Sequence, residues 1–343
     1  MLVATHMIQA KLEAIASHLP QRIVSNDELS RDHPEWDMKL VEARAGVRER
    51  RFAAEDETAV DLAEKACRRL FQSHPEAEEA DTLVFCTQTP DYFLPANACV
   101  LHQKLELPLE VFAFDLAMGC SGYVNGLALA RSLIVSGQSR SLLLVTADTL
   151  SKRTGPDDRS VRVLFGDGAA VTWISAGEEG ESGILDVECA TEGKFFDRII
   201  IPGGGCRRPA PFEATPEESD GPDEKRTPEQ VFMDGIAVLG LVSSKVPPQI
   251  RSLLERNGLS LDDVDLFAFH QASKLALDAL QSRLKLPKAK VVRNLDRVGN
   301  TVSASIPLVL EEALNGDRLK PGDLVLASGF GVGLTWASAL IRF

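Results

Sequence analysis

Short apolar runs alternate along this chain with stretches in which apolar residues recur every three or four positions, so strands and helices follow one another from the start. Residues 8–15 read as a strand, a loop passes through Pro20, and Ser25, Asn26 and Asp27 mark a helix start. Helical spacing returns over 58–71 through Val60, Leu62, Ala63, Ala66 and Leu70, and Asp81 leads into the β-run TLVFCTQT. The irregular PDYFLPANA follows, and then a helix over 98–105. Val111, Phe112, Ala113 and Phe114 form another buried strand, after which Val124, Leu127, Leu129, Leu133, Ile134 and Val135 take helical spacing. Gly137 stands just past that helix, where a residue free to adopt positive φ ends it without strain. Strand patterns recur in LLLVTAD (142–148) and VLFGDGAAVTWI (163–174).

Strands this uniformly apolar, alternating with helices, predict a layered α/β fold whose central strands are covered on both faces. A weak internal repeat adds a second constraint. Residues 68–88 and 250–271 share one plan, a helix, an acidic link, an aspartate (Asp81, Asp265) and an apolar strand ending at Cys86 or His270. A glycine-rich hairpin is expected in each half, at FGDGAAVTW from Phe165 and at FGVGLTW from Phe330. Two related halves around one core are therefore expected, residues 1–176 and 177–343. Residues 205–230, rich in Pro, Glu, Asp and Gly with little to bury, are expected to be a mobile insertion.

The length of 343 residues suits one large or two fused domains, and no apolar stretch approaches a membrane span. No secretory signal is recognised, and MLVATHM, unlike the alternation after it, is set aside as including a remnant ahead of Met7. The net charge of −13 argues against nucleic acid as the main partner. Six dispersed cysteines with no C-x-x-C pair and no zinc-like His spacing point to a reduced, cytoplasmic setting and no metal. Against this acidic background the cluster Arg44, Arg48, Arg50, Arg51, close to an exposed-looking Trp36, reads either as a solvated helix end or as a landing place for phosphates or an acidic partner.

Candidate chemistry concentrates at three positions. Cys120 lies at or just before a helix N-terminus, whose amide dipoles favour a thiolate, and Gly119 and Gly122 leave its approach open. His270 ends an apolar strand just before a helix over 275–284, and Asn300 sits in a Gly-Asn-Thr turn ahead of a helix with Pro307 near its first turn. Singly, each has an ordinary structural reading as a buried thiol, a satisfied core histidine or a turn residue. Together, a thiolate, an imidazole and a carboxamide could hold an acyl group on sulfur while two N–H donors stabilise an oxyanion or enolate.

The motifs RAGVRERR, DLAMGCSGYVNGLALA, DRSVRVLFGDGAAV, MDG, HQAS, GNTVSASIP and GFGVGLTWASALIRF, in this order, resemble the ketoacyl-ACP synthase III family of thiolase-like condensing enzymes. The resemblance implies a homodimer of five-layered α-β-α-β-α subunits with Cys120, His270 and Asn300 as the catalytic triad. It implies acyl transfer from a CoA thioester to Cys120, followed by decarboxylative condensation with a malonyl thioester on acyl carrier protein or CoA. By the same resemblance the backbone N–H groups of Cys120 and Val332 form the oxyanion hole, Trp36 and Arg159 flank the CoA adenine, and Leu94, Met118 and Phe330 line the acyl pocket. No permanently bound cofactor is implied. Ser273, Leu275, Ile236, Gly240, Met118, Gly119 and Leu94 depart from the usual pattern, at positions that bear on the carrier contacts and on the acyl chain accepted. Two further readings stand beside this one, transfer of the acyl group to an alcohol or amine, and a non-catalytic partner subunit.

Overall fold

The computed structural model describes residues 8–178, 180, 182–210 and 226–343. The first half runs β1 (Ile8–His18), β2 (Arg22–Ser25), α1 (Asn26–Asp32), α2 (Met38–Ala45), β3 (Glu49–Phe52), α3 (Ala59–Ser73), β4 (Thr82–Cys86) and α4 (Asn97–Lys104). It continues through β5 (Phe112–Leu116), α5 (Gly122–Val135), β6 (Ser141–Asp148), α6 (Arg159–Arg162) and β7 (Gly168–Glu178). The second half runs β8 (Gly183–Thr191), β9 (Ile199–Ile200), β10 (Phe232–Met233), α7 (Gly235–Arg256), β11 (Leu266–Phe269) and α8 (Lys274–Leu284). It ends with α9 (Leu295–Val298), α10 (Ser305–Asn315), β12 (Leu324–Gly331) and β13 (Thr335–Arg342).

Two sheets, ordered β1-β7-β6-β4-β5 and β11-β12-β13-β8, lie on either side of α5 and α10, which pack against both. Helices α3 and α4 cover the outer face of the first sheet, and α7 covers that of the second with α8 packed beside it. This is the five-layered α-β-α-β-α arrangement of thiolase-like enzymes. Burial on both faces explains the unbroken apolar runs, since every residue of β4 and β12 is buried. Local signals agree with the layers. Thr58 and Asp61 form a capping box at the start of α3, and Ser25 caps α1 by accepting from the Glu28 N–H.

The two sheets share one arrangement at corresponding aspartates. The Asp81 N–H donates to Ser141 O and the Asp265 N–H to Leu324 O, both at 2.9 Å, so the two aspartates bind equivalent strands in the same manner. Phe267 forms a parallel bridge to Val291 where β4 pairs with β5, a vestige of the fifth strand in the second sheet. One expected hairpin is present, where β12 turns into β13. The other is corrected. β6 and β7 are paired, with Asp148 opposite Gly168, but residues 149–167 leave the sheet between them. Gly166 there serves a close crossing, because a Cβ on it would lie 2.2 Å from Val298 O. The expected insertion at 205–230 falls largely outside the described residues.

Candidate active site

Strand β5 delivers the chain to a tight turn, the Gly122 N–H donating to Gly119 O at 2.7 Å, and Cys120 stands there immediately before α5. Cys120 is packed against β12. A Cβ on Gly331 would lie 2.7 Å from the Cys120 Cβ and 2.9 Å from its Sγ, and one on Gly329 would lie 2.7 Å from its carbonyl oxygen. Only glycines admit the turn here. The backbone N–H groups of Val332 and of Cys120 itself pull the thiol's pKa down, but burial, with the Asp148 carboxylate second, pushes it up to about 12. The thiolate expected from the helix position is corrected accordingly: desolvation outweighs the amides, and the free side chain is a neutral thiol.

His270 follows β11 and is 1% exposed. Its Nδ1 lies 2.6 Å from Ser305 Oγ, which also accepts from the Gln271 N–H at 3.4 Å. When the hydroxyl donates its proton to Nδ1, the imidazole proton is left on Nε2. Burial lowers the His270 pKa to about 3, so the ring is a neutral donor. Phe330 meets it edge-on at 5.6 Å between centroids. Because Phe330 lies between Gly329 and Gly331, a single strand segment touches both Cys120 and His270.

Asn300 is carried by a turn that bridges to Phe165, with the Gly166 N–H donating to Asn300 O at 2.9 Å. Its carboxamide is oriented at both ends. Oδ1 accepts from the Val302 N–H at 2.9 Å, and Nδ2 donates to Ala272 O at 3.4 Å, two residues beyond His270. Val302 holds φ +52°, a conformation rare for a β-branched residue, and the Asn300 bond is one of the contacts that fix it.

Profiles of 3-oxoacyl-[acyl-carrier-protein] synthase III and of its C-terminal region match residues 114–193 and 254–343. The β-ketoacyl-[acyl-carrier-protein] synthase III of Caldanaerobacter subterraneus subsp. tengcongensis is 35% identical over 340 residues, 98% of each chain. A 3-oxoacyl-(acyl-carrier-protein) synthase III crystal structure superposes with a TM-score of 0.93 at 39% identity, covering 98% of this chain and 100% of that one. The enzyme from Pseudomonas aeruginosa PAO1 does so with a TM-score of 0.86 at 34% identity over 98% of both. The chain belongs to the 3-oxoacyl-ACP synthase III family.

The remaining expected positions fare differently within this family fold. Trp36 is corrected from exposed to buried, at 4% exposure. It stacks on His33 at 3.9 Å and packs with Val24, Leu29, Phe52 and Val163, because α1 and the β2–β3 ribbon offer an apolar seat. Arg159 is half-buried at the start of α6, and Val163, just past that helix, packs in the cluster that holds Trp36. The arginine cluster disperses. Arg50 is fully buried and donates to Val24 O, Asn26 Oδ1 and Val163 O, Arg51 donates to Pro20 O, and Arg48 pairs with Asp296 at 2.6 Å. Arg44 and Arg48 are the exposed members of the cluster. Met118 is half-buried, its carbonyl accepting from Cys86 Sγ. Leu94 is 83% exposed, so within one chain it closes no pocket. Sequence reasoning missed Ser305 and Asp148, polar residues inside apolar motifs, and that mismatch was the available signal.

Proposed function

We propose that the protein catalyses decarboxylative condensation, with Cys120, His270 and Asn300 as catalytic residues. An acyl group passes from a CoA thioester to Cys120 Sγ, and the thiol proton leaves with CoA. A malonyl thioester, on acyl carrier protein or CoA, then loses carbon dioxide, and its α-carbon attacks the Cys120 thioester to give a 3-oxoacyl product and the Cys120 thiolate, which takes a proton from water. The neutral Nε2–H of His270 and the Asn300 amide stabilise the enolate oxygen, and the Cys120 and Val332 N–H groups receive the oxyanion. The observation that carries this reading is the Gly329–Phe330–Gly331 segment, which seats a thiol against two backbone donors and holds a neutral imidazole beside it. Transfer to an alcohol or amine draws no support from any group here, and a non-catalytic subunit would need none of the three side chains.

The two halves meet near 176/177, and the subunits pair as a homodimer. Tyr92, Phe93, Leu94, Leu109 and Phe112 are exposed large apolar residues at or near β5, an edge strand of the first sheet, and a second copy would cover them. In the dimer Leu94 could then border the partner's acyl pocket along with Met118 and Phe330. A groove of about 700 Å³ on α8 is lined by Lys274, Lys285, Lys288, Arg293 and Arg318 with Asp278 as its acid, a fitting surface for an acidic carrier. Coenzyme A enters only as the substrate thioester. Adenine binding at Trp36 and Arg159 requires His33 to move off the indole. A cytoplasmic setting belongs to this proposal; among the described residues no helix is long and apolar enough to cross a membrane.

Intact-protein mass spectrometry of wild type and Cys120→Ser, incubated with a panel of acyl-CoAs and then malonyl thioester, tests the reading. A mass gain confined to wild type and discharged by malonyl thioester as a 3-oxoacyl product is expected. Acylation that malonyl thioester does not discharge, or equal acylation of Cys120→Ser, would overturn it.

A further inference from the structure

Asp148, the last residue of β6, is a fully buried carboxylate outside the three catalytic positions. Each hydrogen bond it makes, it accepts. Oδ1 accepts from the Gln88 N–H at 2.8 Å, the Thr87 hydroxyl at 3.2 Å and the Thr89 hydroxyl at 3.3 Å. Thr87 Oγ1 accepts from the Thr89 N–H and Thr89 Oγ1 from the Thr149 N–H, so both hydroxyl protons are free to point at the carboxylate. Oδ2 takes the Ser303 N–H at 3.2 Å and its hydroxyl at 2.5 Å. Burial raises the Asp148 pKa, and the hydrogen bonds of this shell pull it back toward the charged form.

What Asp148 ties together gives it a role. Ser303 belongs to the turn that holds Asn300, immediately after Val302 with its φ of +52°. Ser303 also lies against the start of the nucleophile helix, its Cβ 3.8 Å from where a Cβ on Gly122 would stand. We propose that Asp148 is a positioning residue whose carboxylate clamps the Asn300 turn, through Ser303, to the 87–89 segment that follows β4, beside the start of the Cys120 helix, and so fixes the reach of the carboxamide over the acyl-cysteine. The clamp holds Val302 in its left-handed conformation, Val302 presents its N–H to Asn300 Oδ1, and Asn300 Nδ2 is thereby aimed at the His270 side. The same carboxylate adds to the burial that holds the Cys120 pKa up; the titratable groups that face it are Cys86, Cys120 and Asp167. This inference rests on the roles proposed for Cys120 and Asn300.

The test separates the two half-reactions in wild type, Asp148→Asn, Ser303→Ala and Asn300→Ala. An asparagine at 148 must turn an NH₂ toward either the Gln88 or the Ser303 N–H, so one side of the clamp opens. Condensation of pre-acylated Asp148→Asn and Ser303→Ala is expected to slow by about ten-fold or more, with acylation within about three-fold of wild type. The pH midpoint for iodoacetamide alkylation of Cys120 should fall by about half a unit or more in Asp148→Asn and stay put in Ser303→Ala. Parallel loss of both half-reactions, no loss of condensation, or an unmoved alkylation midpoint in Asp148→Asn would overturn the clamp. Should Asp148→Asn fail to fold, the ratio of half-reactions in Ser303→Ala decides. Condensation undiminished in Asn300→Ala would instead overturn the role of Asn300, a failure distinguishable from that of the clamp.

Discussion

At the scale of single residues the site is governed by desolvation rather than by charge. Cys120 and His270 are both held neutral, the thiol pushed up to about 12 and the imidazole down to about 3, so neither depends on a resting ion pair. For the histidine the sign is clear. The unfolded chain takes up a proton below its ordinary value of 6.5 while the folded chain waits until about 3, so the stability that His270 contributes above 6.5 is lost as pH falls through that window. Its catalytic consequence is a flat profile: condensation by the pre-acylated enzyme should show no inflection between pH 5 and 8 attributable to His270. A step near 6.5 that His270→Gln abolishes would contradict a neutral donor. Ser305→Ala removes the hydroxyl that fixes the tautomer and should slow condensation about ten-fold, the effect of one lost hydrogen bond, with Cys120 acylation unchanged in mass-spectrometric time courses.

Elements place these residues through glycines in strands as much as through helix starts. Gly331→Ala would push a methyl to within 2.9 Å of Cys120 Sγ, displacing either the sulfur or β12. Overpacking of this kind costs about 1–3 kcal/mol, so the variant should fold with a lowered melting temperature and take up acyl groups far more slowly; normal acylation kinetics would show that the turn yields cheaply. The same elements show what could be read from the chain. Strands with continuous apolar runs and helices with clear caps, such as α3 behind Thr58 or α8 behind Ser273, were legible because local chemistry decides them. So were Cys120, His270 and Asn300 as candidates, each next to a strand end, turn or helix start. Most of α7 was not legible, since Pro247 and Pro248 lie inside it and only packing on the second sheet sustains the helix through them. The hairpin at Phe165 was misread because FGDG and FGVG look alike locally, whereas Gly166 answers to Val298, far along the chain. Long-range partners account for the other omissions as well: Ser305 reaches His270 from 35 residues away and Ser303 reaches Asp148 from 155.

Over the whole molecule, the distribution of exposed apolar surface is the feature that a single chain leaves unanswered. Phe93 and Leu94 are 86% and 83% exposed, Leu109 is 93% exposed, and Phe112 is half exposed on β5, whose outer edge has no neighbouring strand among the described residues. A monomer would present to water both an unpaired strand edge and the side chains around it, each of which favours association. Pairing of two β5 edges would satisfy the backbone and cover the 91–96 loop at once, and it would bring Leu94 of one subunit toward the other. The paired substitution Phe93→Ser with Leu94→Asp places polar and charged groups in that face while leaving Cys120, His270 and Asn300 untouched. Sedimentation velocity should find wild type as a dimer and the double variant shifted to monomer by at least about ten-fold in dissociation constant, as loss of two buried apolar side chains requires. If Leu94 also borders the partner's pocket, Leu94→Ala alone should keep the dimer and change the ranking of acyl-CoAs in the acylation assay. A variant pair that remains dimeric with wild-type affinity would move the interface elsewhere and leave Leu94 a surface residue in the assembly as in the single chain.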